Sequence, residues 1–142
     1  VIPARNEIYF ASKGGGAFHR INGQDIKIHA NDKTEKLKVL TSVFHLNDQE
    51  IKLIQKHSDK ISQIEKVGSS IKACLIAEGY AELSYRMSGN TKEWDVAAFQ
   101  IIVDEAGAIM LQPDGTRFKY NREDVYNRNG YILANRKENI LL

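Results

Sequence analysis

The sequence is poor in the features that build secreted and membrane proteins. Cys74 is the only cysteine, so no disulfide can form within the chain, and nothing indicates a secreted disulfide framework. No apolar run approaches the roughly 18 residues that a membrane-spanning helix needs. The first residues, 1–5, lack the charged and apolar regions of a signal peptide. We therefore expect a cytoplasmic location and no membrane partner.

An excess of charge of one sign is also missing. The chain carries 20 Lys and Arg against 18 Asp and Glu, a formal net charge of +2. Nucleic-acid-binding proteins usually show a concentrated basic stripe, so we expect no nucleic-acid partner. What is present, 42% apolar and 27% charged residues, is typical of a globular protein with one modest core.

Residues 1–30 predict the end of an antiparallel sheet. Strand patterns at 7–11, 17–21 and 24–29 are separated by turn residues, among them Asn22-Gly23. Such a short meander is marginal alone, and the sequence begins without Met on a strand-like stretch, so we expect a truncated chain. We interpret 1–30 as the last strands of an N-terminal sheet domain and 31–142 as a C-terminal domain.

The C-terminal domain alternates helices with strands, which predicts a layered α/β (α+β) fold, a sheet with flanking helices. A polar linker is expected at 30–36. Helices are predicted from Asn47-Asp48 to about His57, from Ser69-Ser70 to Glu78 and from Trp94-Asp95 to Gly107, and strands at 39–40, 81–87, 108–111 and 131–134.

Asp95 is the first candidate for chemistry. An Asp at a helix start is usually a cap that stabilises by about 1 kcal/mol. A carboxylate held at a strand-to-helix turn could instead bind a hard cation, which prefers oxygen ligands. From the residues alone both interpretations stay open.

Anion binding is the second possibility. Gly68-Ser69-Ser70-Ile71-Lys72 would place backbone N–H groups, two hydroxyls and an ammonium at a helix N-terminus, which favours a phosphate. By itself this signal is weak, because serine-capped helices are common, and a purely structural role stays open. Arg86 at a strand end is ordinarily a solvated charge, but beside a phosphate it would make a bidentate contact.

Other motifs indicate structure. Pro113-Asp114-Gly115-Thr116 lies between strand patterns and predicts a β-turn, not a metal loop. Lys13-Gly14-Gly15-Gly16 predicts a hairpin turn. The four histidines show no ligand spacing, and a single cysteine argues against a zinc site.

The ordered string of Gly68-Ser69-Ser70-Ile71-Lys72, Tyr85-Arg86 and Trp94-Asp95-Val96-Ala97-Ala98 resembles the inositol monophosphatase superfamily. It is most similar to the CysQ-type branch, the 3'(2'),5'-bisphosphate nucleotidases. The resemblance covers nearly the whole chain and implies the C-terminal half of a Mg²⁺-dependent enzyme with the sugar-phosphatase fold.

The resemblance assigns roles to residues. It implies that Asp95 ligates Mg²⁺ and that Ser69, Lys72 and Arg86, with the Gly68 segment, contact the substrate. The family's Ser-Arg-Ser-His segment is matched by Ser42-Val43-Phe44-His45. His45 would lie near the substrate, whereas Val43 and Phe44 depart from the pattern.

Two further family motifs, Gly-Glu-Glu and Asp-Pro-Ile/Leu-Asp-Gly-Thr, do not occur in the sequence. They carry the other metal ligands, and one carboxylate cannot hold two Mg²⁺ ions about 4 Å apart. The resemblance therefore implies a missing N-terminal half of the same enzyme as a partner and an inactive isolated chain. Uncovered strand surface would also favour self-association.

Charge selects the expected substrate. Inositol monophosphatases typically have Ala-Leu where this chain has Ile71-Lys72, and an acidic residue where it has Arg86. The two cations suit a second phosphate that is held and not cleaved. The predicted reaction of the parent enzyme is hydrolysis of the 3'-phosphate of adenosine 3',5'-bisphosphate to AMP. The alternatives are an inositol or other sugar phosphatase and a non-catalytic nucleotide-binding module.

Overall fold

The structure is a computed structural model that describes residues 1–43 and 46–142; the predicted substrate contact His45, with Phe44, lies outside the described residues. Within the described part the secondary-structure elements are the strands β1 Glu7–Ser12, β2 Gly16–Ile21, β3 Gln24–Ile28, β4 Leu37–Thr41, β5 Ile61–Lys66, β6 Leu83–Arg86, β7 Ile109–Leu111 and β8 Tyr131–Ala134, and the helices α1 Asp48–Lys56, α2 Ile71–Ala77 and α3 Glu93–Glu105. None of the described helices is both long and apolar enough to cross a membrane.

The first three strands form the predicted antiparallel meander. β1 pairs with β2, and β2 pairs with β3, through the expected turns at residues 13–15 and 22–23. Alternation along the strands turns Tyr9, Ala17 and Ile28 to one face, where they pack against Ala77 of α2 and Ile102 of α3. This sheet is thereby fixed onto the two helices that flank the larger sheet.

The larger sheet has the strand order β5-β4-β6-β8-β7. β4 runs parallel to both β5 and β6, whereas β8 is antiparallel to β6 and to β7. The mixed α/β architecture predicted from the sequence is confirmed. Because the three parallel strands end at the same edge, the segments that follow them are brought together there.

Both faces of the larger sheet are covered. α2 and α3 pack on one face through a cluster that includes Ala73, Ile76, Val96 and Val103, and Ile54 of α1 packs on the other. The inward face that the sequence indicated for α3 was partly wrong, because Ala97 and Ala98 are exposed. The bulkier Val96, Phe99 and Val103 are buried instead, which removes more apolar surface from water.

The predicted linker at 30–36 is tied to the sheet. The buried Asn135 side chain, at the end of β8, donates to the carbonyl oxygens of Asn31 and Lys33 at 3.0 and 2.9 Å. The Asn31 amide in turn donates to the buried carboxylate of Glu82. Hydrogen bonding of these buried groups fixes the connection between the two sheets.

Candidate functional site

A cleft of about 510 Å³ opens at the edge where the parallel strands end. Five residues predicted from the sequence line it together: Gly68, Ser69, Lys72, Arg86 and Asp95. They come from the ends of β5 and β6 and the starts of α2 and α3. Ligands in α/β proteins bind at this edge of the sheet, so the position supports a common site.

Lys72 forms part of the cleft wall and is only 5% exposed. Its Nζ donates to the carbonyl oxygens of Val67 and Ser69 at 3.3 and 3.1 Å, which leaves one N–H donor for a ligand. Ser69 has a left-handed φ of 53°, a strained conformation that is frequent at functional sites. Burial lowers the pKa of the Lys72 ammonium, and the nearby Arg86 charge lowers it further.

Arg86 is the last residue of β6 and is partly buried. Its Nη1 makes a long contact of 3.5 Å to the Oγ of Ser42, which follows β4. The backbone of Gly130 approaches so closely that a Cβ there would lie 2.0 Å from the Arg86 carbonyl oxygen, and its φ is +72°. Only glycine therefore allows this packing behind Arg86.

Asp95 lies in the first turn of α3, three residues after the N-cap Lys92. Its Oδ2 accepts the Lys92 N–H at 2.8 Å, so the carboxylate stabilises the helix start without being the N-cap itself. The Oδ1 makes no hydrogen bond to the described residues. Structural and ligand-binding roles are thus compatible, because one oxygen serves each.

A loop that the sequence did not indicate holds the start of α3. The Glu93 carboxylate accepts hydrogen bonds from the backbone N–H groups of Asn121 and Arg122 and from the Arg122 guanidinium. The Asn127 side chain donates to Thr91 Oγ1 and to the Lys92 carbonyl oxygen. Asp95 is therefore held on a rigid support.

Of the other six residues that line the cleft, four had no predicted role: Ser42, Thr91, Phe99 and Tyr131. Burial raises the pKa of the Tyr131 hydroxyl to about 12, so it stays protonated and can donate a hydrogen bond. Tyr131 begins β8, far from the motifs in sequence, and only strand pairing with Arg86 brings it there.

The α2 terminus differs from its prediction. Ser70 occupies the N-cap position but its side chain makes no capping hydrogen bond, so the expected serine cap is wrong. Both Ser69 and Ser70 are exposed in the cleft instead. The structural interpretation of this segment loses support, and the hydroxyls are available to a ligand.

The donor set fits a hard cation only in part. Asp95 contributes one carboxylate to the cleft, and oxygen is the ligand that Mg²⁺ prefers. Residues 1–43 and 46–142 contain no group of three or more His, Cys, Asp or Glu that could hold a metal ion.

The predicted turn at 113–116 is confirmed as a turn, with Asp114 accepting from the Thr116 N–H.

Known proteins resemble this chain throughout. Residues 1–141 match the inositol monophosphatase family. Inositol monophosphatase 1 of Homo sapiens is 31% identical over 137 residues, which cover 92% of this chain and 48% of that protein. The 3'(2'),5'-bisphosphate nucleotidase CysQ of Salmonella typhimurium is also 31% identical, over 132 residues, covering 93% and 52%.

Solved structures show the same relationship. CysQ from Bacteroides thetaiotaomicron, described as a bacterial member of the inositol monophosphatase family, superposes with a TM-score of 0.82 and 29% identity. The match covers 96% of this chain and 56% of that one. The chain spans about half the length of the curated relatives it matches.

Proposed function

The chain belongs to the inositol monophosphatase family, and on that premise we propose that it is the substrate-facing part of a Mg²⁺-dependent phosphatase that hydrolyses the 3'-phosphate of adenosine 3',5'-bisphosphate. The observation that carries this proposal is the pair of cations, Lys72 and Arg86, in the wall of one cleft. Both belong to the segments that the sequence singled out.

The two cations favour a substrate with a second phosphate. A phosphate dianion that contacts both would be held by charge-assisted hydrogen bonds from the Lys72 ammonium and the Arg86 guanidinium. The exposed hydroxyls of Ser69 and Ser70 add donors to the same wall. We propose that this wall binds the phosphate that is not cleaved and so orients the nucleotide.

Asp95 is the proposed metal ligand of the chain, through the oxygen that does not serve the helix start. Asp95 would hold Mg²⁺ there, and the ion would supply neutralisation of the charge on a transferring phosphoryl group. A single carboxylate in the cleft does not suffice for this, so the remaining ligands are proposed to come from a second segment carrying the family's acidic motifs.

A groove of about 460 Å³ beside the cleft is the proposed contact for that segment. It is lined by apolar residues including Ile2, Ile71 and Trp94, and Trp94 is 63% exposed. An exposed apolar patch of this kind marks an interaction surface, and uncovered it would promote self-association.

We propose that residues 1–30 continue a sheet of the N-terminal half and that 31–142 form the C-terminal domain.

The 142-residue chain is expected to release no phosphate above background from adenosine 3',5'-bisphosphate or inositol 1-phosphate with Mg²⁺. Joined to an N-terminal half with the Gly-Glu-Glu and Asp-Pro-Ile/Leu-Asp-Gly-Thr motifs, it is expected to prefer the nucleotide. Asp95→Asn should abolish this turnover, whereas Asp124→Asn, at an exposed ion pair with Arg128, should not. Metal-dependent turnover by the chain alone would refute the shared metal site.

An inositol phosphatase is the alternative that the comparisons support, because the human inositol monophosphatase and the Salmonella nucleotidase are equally identical to the chain. Preferential hydrolysis of inositol 1-phosphate by the joined protein would favour it. Binding of nucleotide without any turnover of the joined protein would indicate a non-catalytic binding module.

A further inference from the structure

A buried carboxylate is hydrogen-bonded to the backbone directly after Arg86. Glu50, in the first turn of α1, is 1% exposed. Its Oε1 accepts the N–H of Met87, the residue that follows Arg86, at 2.8 Å. Its Oε2 is buried and makes no hydrogen bond to any residue that the structure describes.

An ionised carboxylate so deeply buried is costly unless charge or hydrogen bonds compensate it. One backbone N–H leaves most of its acceptor capacity unused. Burial raises the pKa of the Glu50 carboxyl, whereas the Met87 N–H, the Arg86 charge, the Asn47 backbone and the Lys72 charge lower it. Neither cation forms a direct ion pair with it among the described residues, so any compensation by Arg86 and Lys72 is charge–charge attraction without a hydrogen bond.

The effect on Lys72 is reciprocal. Burial and the Arg86 charge both favour loss of its proton, and the Glu50 charge opposes them. Among residues 1–43 and 46–142, the other titratable groups that line the cleft are Tyr131 on β8 and Asp95 on α3. Glu50 is thus a buried anion that acts on both cations and does not itself line the cleft.

We propose that Glu50 is a positioning residue: it is the resident counter-ion of Lys72 and Arg86 and keeps the Lys72 ammonium charged until an anionic ligand binds. It also fixes the end of β6 through the Met87 N–H. The inference rests on the proposed anion site, and it adds a residue from α1, outside the motifs that define that site.

The competing account gives Glu50 a structural role only, through its bond to Met87. Glu50→Gln separates the two, because glutamine keeps a carbonyl oxygen for the Met87 N–H and loses only the charge. Glu50→Asp is the matched variant, because it keeps the charge on a shorter side chain.

The test is an NMR pH titration of the Lys72 side chain in the ligand-free chain. Glu50→Gln is expected to move the Lys72 midpoint to lower pH than in the unsubstituted chain, and Glu50→Asp to restore it towards the original value. An unchanged Lys72 midpoint in a folded Glu50→Gln chain would overturn the proposal.

Should Glu50→Gln fail to fold, the reciprocal titration decides. The Glu50 carboxyl carbon is followed in Lys72→Met, where loss of the cation is expected to move its midpoint to higher pH; no change would overturn the proposal. Adenosine 3',5'-bisphosphate is added separately. If Glu50→Gln shifts the Lys72 midpoint but the unsubstituted chain does not bind the nucleotide, the proposed function is refuted and the role of Glu50 stands.

Discussion

Lys72→Met is expected to weaken binding of adenosine 3',5'-bisphosphate by roughly 30-fold or more, because removing one member of a buried charge pair costs about 2–5 kcal/mol. Methionine keeps an unbranched apolar side chain of nearly the same length without the ammonium, so it suits the buried position. It removes the N–H donor that is left for the ligand and also the two hydrogen bonds to the Val67 and Ser69 carbonyl oxygens.

The measurement is titration calorimetry of the chain with the nucleotide at constant salt, since ionic strength screens exposed charges. Lys52→Met is the matched control, because Lys52 is exposed on α1 and the same charge is lost there. Equal affinities of the unsubstituted and Lys72→Met chains would remove Lys72 from the proposed anion site.

Arg86→Glu is expected to lower the affinity for adenosine 3',5'-bisphosphate by roughly 100-fold or more, because a like charge opposite an anion costs several kcal/mol. The substitution also introduces an acid at the position where inositol monophosphatases carry one. The affinity for inositol 1-phosphate, whose hydroxyls can donate to a carboxylate, should fall less. The preference for the nucleotide over inositol 1-phosphate should therefore decrease.

Arg136→Glu supplies the control for this charge reversal. Arg136 is exposed, pairs with Glu138 and lines a surface pocket with Ala106 and Gly107, at the end of α3 opposite Asp95. Arg136→Glu should leave the affinities for adenosine 3',5'-bisphosphate and for inositol 1-phosphate unchanged within about twofold, as substitutions at exposed sites usually do. Equal losses for both ligands in Arg86→Glu would mean that Arg86 does not discriminate between them.

The sequence predicted elements best where the periodicity was strong. The meander, α1 with its Asn47 cap and the strands that became β6 and β8 lie close to their expected places. β5 was missed, because Ile61–Lys66 is a mostly exposed edge strand whose polar residues give little strand signal. The buried face of α3 was partly misjudged because alanine fits both environments.

The site was predicted in its parts and not in its geometry. The resemblance placed Lys72, Arg86 and Asp95 in one site, but only the parallel pairing of β4 with β5 and β6 shows why they meet. Glu50 could not be found in this way. Charged residues are almost never fully buried, so a glutamate in a lysine-rich helix is interpreted as solvated. Its burial depends on the packing of α1 behind Met87.

The central claim, a cleft selective for a bisphosphorylated nucleotide, is tested most directly by titrating the chain in parallel with adenosine 3',5'-bisphosphate and inositol 1-phosphate. The cation pair predicts an affinity for the nucleotide at least about tenfold higher, a difference of about 1.4 kcal/mol. Equal affinities, or tighter binding of inositol 1-phosphate, would contradict the assignment of Lys72 and Arg86 to a second phosphate.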